Sequence, residues 1–335
     1  MTRLLLLAYG RPTEYLRAAF AALSAWAWTA GEADGLAADV FTDEPAVFGS
    51  LLAGLPVTYH PLTAARLAEL RGPGNYLFRL KPLLLAEVAR THPHADLLFV
   101  DSDTFFYRPA GELLRNLAGG TAYLHQPEYP LAEAEAIHQQ FGQGEHPRRA
   151  VAWLAEGSFR VAGAPMPFAP SQQSWNSGVV GLPAATTPRL PDVVALTDAL
   201  YAASGWFTSE QVAFSLVLPA AGQALAAAEA WVYHYWRQPL KQLADQLLAA
   251  TLTPTFATLP LPERLARARW LSSQWLRQLE LHRTQQDALH AIGTGQLTAG
   301  VKCAARALLA APLHKPFLRQ LAHAMRHRGR TRAQA

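Results

Sequence analysis

The sequence predicts an α/β fold, a sheet flanked by helices, with a helical appendage behind it. Three observations carry this. Short apolar runs alternate with stretches of helical spacing over the first two thirds of the chain. The runs are apolar at consecutive positions, as strands covered on both faces require. Beyond about residue 240 the strand signals fade and helical spacing takes over.

In order, Arg3 to Tyr9 reads as a first buried strand. Pro12 and Thr13 open a helix over Glu14 to Thr29, with Leu16, Phe20, Leu23 and Ala27 at helical spacing. Ala37 to Thr42 is a second strand, ending at Asp43-Glu44-Pro45, and Pro56 to Tyr59 a short third. Asn75 to Arg90 has helical spacing through Leu77, Leu80, Leu84 and Val88, with Pro82 suited to a first turn. Leu97 to Val100 is a short buried strand, Pro109 to Leu117 a helix and Thr121 to His125 another strand. Pro127 to Pro170 is less regular, with a helix over Glu133 to Gln140. Trp175 to Leu182 ends in a strand, and Pro191 to Ala202 is a helix. A further helix starts at Thr208-Ser209, one of which caps it, with Glu210 and Gln211 placed to complete the cap. Helices follow around Leu265 to Leu279, Ala304 to Ala310 and Phe317 to Met325. This divides the chain into a catalytic part, residues 1–240, and a helical C-terminal region, 241–335, with a basic tail. There is no internal repeat.

At 335 residues, half of them apolar, the chain is long enough to bury a substantial core. Met1 to Ala8 has the look of a secretory leader, but Gly10-Arg11-Pro12 breaks it too early, and a strand suits it better. No run approaches the roughly 20 apolar residues of a membrane span. Cys303 is the sole cysteine, which excludes an intrachain disulfide and fits a reducing cytoplasm; paired Cys/His spacing of the structural-zinc kind is missing. Net charge is +4 but unevenly placed. After Asp287 there is no acidic residue, while Lys302, Arg306, Lys315, Arg319, Arg326, Arg328, Arg330 and Arg332 follow. A block of one sign suits peripheral contact with an anionic surface such as the inner membrane face, and equally suits a solvated terminus.

The chemistry gathers at Leu97-Leu98-Phe99-Val100-Asp101-Ser102-Asp103-Thr104-Phe105-Phe106. A pair of acids inside an apolar run is costly unless compensated. Two carboxylates at a strand end can share one hard cation; the same pattern also suits a strand that ends in a turn, with Asp101 as a turn or capping residue. Trp175-Asn176-Ser177-Gly178-Val179-Val180 sets a small polar cluster before a β-branched pair, with Gly178 open to close approach of a backbone or ligand. His234 sits among Trp231, Tyr233, Tyr235 and Trp236, a setting that also suits a packed histidine. Asp101, Asp103 and His234 together make a donor set for Mn2+ or Mg2+.

Phe78-Arg79-Leu80-Lys81-Pro82, the Asp101 run, Asn176 to Val180, Glu210-Gln211 and His234 together resemble the GT-A glycosyltransferases, closest in flavour to the glycogenin-like and galactosyltransferase-like retaining enzymes. The resemblance covers about residues 1 to 240. It implies a Rossmann-like mixed sheet and transfer of a sugar from a nucleoside diphosphate donor, UDP-linked by analogy. The acceptor would be a glycan, lipid-linked or protein hydroxyl, in surface glycan or polysaccharide synthesis, and no nucleic acid would be bound. It implies that Asp101 touches ribose and metal, that Asp103 binds the metal, and that His234 is the third ligand. Tyr9 and Asp43 would face base and ribose, and Arg79 or Lys81 the diphosphate or donor sugar. Asn176, Glu210 and Gln211 would line the sugar and acceptor side. Two departures stand out. The family's late His-x-x-Gly-x-x-Lys-Pro-Trp is here His234-Tyr235-Trp236-Arg237-Gln238-Pro239, leaving Arg237 or Lys241 to face phosphate, and Glu210 stands where many relatives have Asp.

Two other readings compete. Haloacid dehalogenase-like phosphatases also place Asp-x-Asp after an apolar strand, but want Thr or Val where this chain has Phe105, and carry the motif on the first strand. A nucleotide-sugar-binding protein without turnover would keep the same residues.

Overall fold

A computed structural model describes residues 1–29, 35–157, 159–312 and 314–327. The chain divides into two compact units, Met1–His234 with Leu248–Arg269, and Tyr235–Leu247 with Trp270–Ala335. Arg328, Arg330 and Arg332 of the basic tail lie outside the described residues.

The first unit is built on strands β1 (Thr2–Ala8), β2 (Leu36–Thr42), β3 (Val57–Pro61), β4 (Asp96–Val100), β5 (Thr104–Phe106), β6 (Ala122–Pro130), β7 (Phe159–Val161), β8 (Ala164–Met166), β9 (Gln173–Leu182), β10 (Leu225–Ala227) and β11 (Val232–His234). Seven form one sheet in the order β10-β6-β9-β4-β1-β2-β3. β1, β2, β3 and β4 run parallel, whereas β9 is antiparallel to both β4 and β6. The sheet is therefore mixed. β5 and β11 form a separate antiparallel pair that sets His234 opposite Thr104. β7 and β8 form a small hairpin.

The helices of this unit are α1 (Pro12–Thr29), α2 (Pro45–Leu51), α3 (Ala64–Arg71), α4 (Leu80–Thr91), α5 (Gly111–Ala118), α6 (Ala134–Gln139), α7 (Glu145–Glu156), α8 (Leu190–Ser204) and α9 (Ser209–Ala220). A 3-10 turn at Leu77–Arg79 precedes α4, so Pro82 falls in the first turn, where its missing N–H costs no helical bond. Phe99 and Val180 from the sheet, Leu84 from α4 and Phe214 from α9 lie in one core. Burial on both faces explains why β4 reads as an unbroken apolar run. A buried charge at the sheet edge is also compensated. Arg3 on β1 donates two hydrogen bonds to Asp39 on β2, both at 2.7 Å, and His60 on β3 lies 2.8 Å from the same carboxylate. Burial opposes ionisation of Asp39, but His60 and Arg3 outweigh it and hold its carboxyl below the usual range.

After β11 come α10 (Gln238–Thr251), α11 (Pro254–Ala257), α12 (Leu261–Gly293), α13 (Leu297–Ala310) and α14 (Lys315–His327). Residues 248–269 belong to the first unit. Arg264 there is buried and donates to the carbonyls of Ser50, Leu51 and Ala53, satisfying groups at the end of α2. In the second unit, Ala288, Ala304, Ala307 and Phe317 form a small core.

Two expectations need correction. No side chain caps α9: Thr208 occupies the cap position but accepts no bond there, and Glu210 and Gln211 turn elsewhere. The stretch before Pro170 is also more regular than its mixed periodicity suggests, because α7 buries only Pro147, Ala150 and Leu154 and so carries a thin apolar stripe.

Candidate active site

The site forms where β4 ends. Asp101 N–H donates to the Gly178 carbonyl at 2.8 Å, tying the aspartate turn to β9. Thr104 donates its hydroxyl to the Asp101 carbonyl at 2.8 Å, and Ser102 donates to Glu14 on α1 at 2.6 Å. The turn is thus fixed from three sides. Ligand atoms of Asp101, Asp103 and His234 all lie within 4.8 Å of one another.

The orientation of His234 follows from its neighbours. Asn176 accepts at Oδ1 from Gly178 N–H (2.9 Å) and donates through Nδ2 to Glu128 (3.1 Å). Those two bonds assign the amide. His234 Nδ1 lies 3.0 Å from the same Oδ1, so Nδ1 carries a proton and donates it. Nε2 is left facing Asp103 at 3.3 Å. A lone pair and a carboxylate oxygen at that separation repel unless a cation or proton lies between them. Two neighbouring ligands of an octahedral ion stand about 3 Å apart, so the spacing suits a shared metal. Asp101, in the same cluster, supplies a second carboxylate to a three-donor set. Gly178 is essential to this geometry, because a Cβ at that position would overlap the His234 ring.

Beside the cluster, Lys81 is almost fully buried. Its ammonium donates to the Ser177 carbonyl at 2.8 Å and pairs with Glu210 at 3.0 Å and Asp101 at 3.2 Å. Burial opposes its charge, but the Asp101 and Glu210 carboxylates outweigh this and raise its pKa above that of a free lysine. Glu210 also accepts from the Ser177 hydroxyl at 2.7 Å. Gln211 donates to Glu128 at 2.7 Å. Glu128 thereby joins Asn176 and Gln211 in one polar row.

The structure therefore brings Asp101, Asp103, His234, Asn176, Lys81, Glu210 and Gln211 together. It places others elsewhere. Arg79 has its guanidinium on Asp198, at 2.6 and 3.0 Å, and on the Leu70 carbonyl at 2.9 Å. With its donors spent there, it is not part of the cluster. Lys81 is engaged by the Ser177 carbonyl and hydroxyl, Asp101 and Glu210, which suits holding the acids in place rather than reaching a diphosphate. Arg237 pairs with Asp287 at 2.8 Å. Asp43 is exposed and accepts from Tyr15 and from Gly10 N–H at 2.9 and 3.0 Å, next to Tyr9 at the end of β1. Tyr9 accepts from Arg71 at 3.2 Å.

Three residues were not legible in the sequence. Glu128 follows Gln126-Pro127 and reads as a loop acid, although a lone acid at a strand end was a signal. Tyr76 accepts from Glu210 N–H at 3.2 Å and donates to the Phe207 carbonyl at 2.7 Å, bracing the start of α9. His125 on β6 lies edge-on to His234, with ring centroids 5.2 Å apart. Burial, aided by His234, lowers its pKa to about 3.

No family model and no curated protein matches the chain. Among solved structures, mouse xyloside xylosyltransferase 1 in its apo form aligns with a TM-score of 0.41 and 17% identity, over 68% of this chain and 84% of that one. The galactosyltransferase LgtC, in complex with donor and acceptor sugar analogues, aligns at 0.40 and 12% identity, over 67% and 73%. A putative glucose-1-phosphate thymidylyltransferase from Bacillus anthracis aligns at 0.39 and 10% identity, over 74% and 95%. Similarity at this level carries no functional weight, and the site geometry has to bear it.

Proposed function

We propose that the protein is a metal-dependent glycosyltransferase of GT-A type, which moves a sugar from a nucleoside diphosphate, UDP by analogy, to an acceptor hydroxyl. The observation that carries this is the meeting of two carboxylates with a histidine whose free nitrogen is aimed at them. Asp101, Asp103 and His234 would hold the ion, and two carboxylates with one imidazole favour Mn2+, with Mg2+ as the harder alternative. When bound, such an ion offsets the negative charge that grows on a departing diphosphate. Asn176 keeps the His234 ring in its ligating tautomer. Lys81 would hold Asp101 and Glu210 in place. Tyr9 and Asp43, at adjacent strand ends, would meet the nucleoside. Asn176, Gln211 and Glu128 would meet the sugar and acceptor side.

Transfer with retention suits this site better than inversion. An inverting enzyme needs a carboxylate free to take the acceptor proton. Glu128 is engaged by the amides of Asn176 and Gln211, and Glu210 is buried against Lys81 and Ser177. The acceptor proton would then pass to a leaving phosphate oxygen. No feature of the site favours phosphatase chemistry, and the aspartates follow the fourth strand rather than the first.

The test is a thermal-shift panel of nucleotide sugars with and without Mn2+, followed by donor hydrolysis. A shift that needs both the ion and one donor, and is lost in Asp103→Ala, is expected. Donor binding indifferent to metal and to Asp103 would overturn the reading. Metal-dependent binding with no turnover towards any acceptor or water would leave a nucleotide-sugar-binding protein.

A further inference from the structure

We propose that the exposed faces of α13 and α14 dock on an anionic lipid surface, a reading independent of the catalytic one. The inward faces of these helices are fixed by packing. Gly300, Ala304 and Ala307 of α13 are buried, and a Cβ on Gly300 would overlap the Ile292 side chain of α12. Phe317 anchors α14, fully buried in the same core. What remains outward is not polar. On α13, Leu297, Val301, Ala305 and Leu309 recur every four residues, and Leu309 is 84% exposed. On α14, Leu318, Ala322 and Met325 share a face and are all exposed. Among the described residues, five of the twelve exposed large apolar side chains lie in these two helices.

The cations lie beside this apolar surface. Lys302 and Arg306 each follow an outward apolar residue of α13, and Arg319 and Arg326 each follow one of α14, with Lys315 at the start of α14. All five are exposed. After Asp287 the sequence provides no acid to neutralise them, and Asp287 is itself paired with Arg237 at 2.8 Å.

This combination selects among occupants. A polyanion would engage the cations and leave Leu309, Val301 and Leu318 in water. A second copy would cover the apolar surface but bring like-charged rims together. An anionic bilayer interface satisfies both, with the apolar stripes at the acyl boundary and the cations among the headgroups. No described helix is long and apolar enough to cross a membrane, so the contact is with the surface.

The test is flotation of the full-length protein with phosphatidylcholine vesicles, with and without one part in three of phosphatidylglycerol, at low and high salt. Binding only to the anionic vesicles, weakened by salt, is expected. Lys315→Ala/Arg319→Ala/Arg326→Ala should weaken it roughly a hundredfold, since each surface cation contributes about fivefold. Val301→Asp/Leu309→Asp should abolish it while the melting temperature stays near that of the wild type. Anionic-vesicle binding that survives the apolar pair and falls only with charge would mean a plain electrostatic contact and overturn the proposal. So would no vesicle binding, or a dimer by light scattering that Val301→Asp/Leu309→Asp dissolves. Capture of an acidic protein in place of vesicles would overturn it as well.

Discussion

The two units bury opposite things. The first draws charged groups into its interior and surrounds them with partners distant in sequence: Lys81 with Ser177, Asp101 and Glu210, and Arg3 with Asp39. The second buries Trp275, Leu279, Ile292 and Phe317 among small alanines and leaves the cations of α13 and α14 outside. A buried charge needs geometry assembled from several elements, because its desolvation is offset only by well-placed partners. A surface cation needs none. Removing a buried charge of the first unit should therefore be costly, and removing a surface cation of the second nearly free.

The strongest way to break that contrast is at the cluster of Asp101, Asp103 and His234. Asp103→Ala should lower metal-dependent turnover by about a thousandfold or more, read as turnover against Mn2+ concentration. Lys81→Met should destabilise by about 3–5 kcal/mol in denaturant unfolding, because Glu210 and Asp101 lose their shared cation. Arg79→Met, which breaks a part-exposed pair with Asp198 and a bond to the Leu70 carbonyl, should cost about 1–2 kcal/mol. Equal costs for Arg79 and Lys81 would remove the distinction drawn between them. Gly178→Ala should displace His234 and weaken Mn2+ binding about 10- to 100-fold by titration calorimetry, with a smaller effect on stability.

A smaller effect comes from His125. Its folded-state pKa of about 3 lies below the ordinary histidine value, so the unfolded chain takes up the proton first as pH falls. Stability should decline as pH drops below about 6.5 and go on declining towards 3, by no more than about 1.4 kcal/mol per pH unit from this residue. His125→Leu should flatten that slope in denaturant midpoints measured across pH. At the far end of the scale, Lys302→Ala in the second unit should stay within about 0.5 kcal/mol of wild type.

Legibility tracked distance along the chain. β1, β4, α1 and α8 stood out because each is a mostly apolar run or a clear helical stripe, a property of neighbours. α7 hid because its stripe is thin. The Asp101 and Asp103 pair was visible because acids inside an apolar run are conspicuous. Glu128 was not, because an acid after a proline looks like any loop acid until Asn176 and Gln211 are seen donating to it. The start of α9 misled for the same reason: Glu210 and Gln211 have the chemistry of a cap, but stronger partners on β9 and β6 claim them.

Arg79 and Lys81 show where the boundary lies. Helical spacing alone placed Arg79 and Lys81 at the start of one helical stretch and the aspartates at one strand end, because local periodicity and hydropathy decide secondary structure. Whether each cation faces an acid on α8 or the carboxylates of Asp101 and Glu210 depends on how α4, α8, α9 and β9 meet. Only the packed molecule sets that, since a side chain two positions away on a helix points to a different face. The same holds for His234, whose free nitrogen is chosen by an amide 58 residues away rather than by anything beside it in the chain.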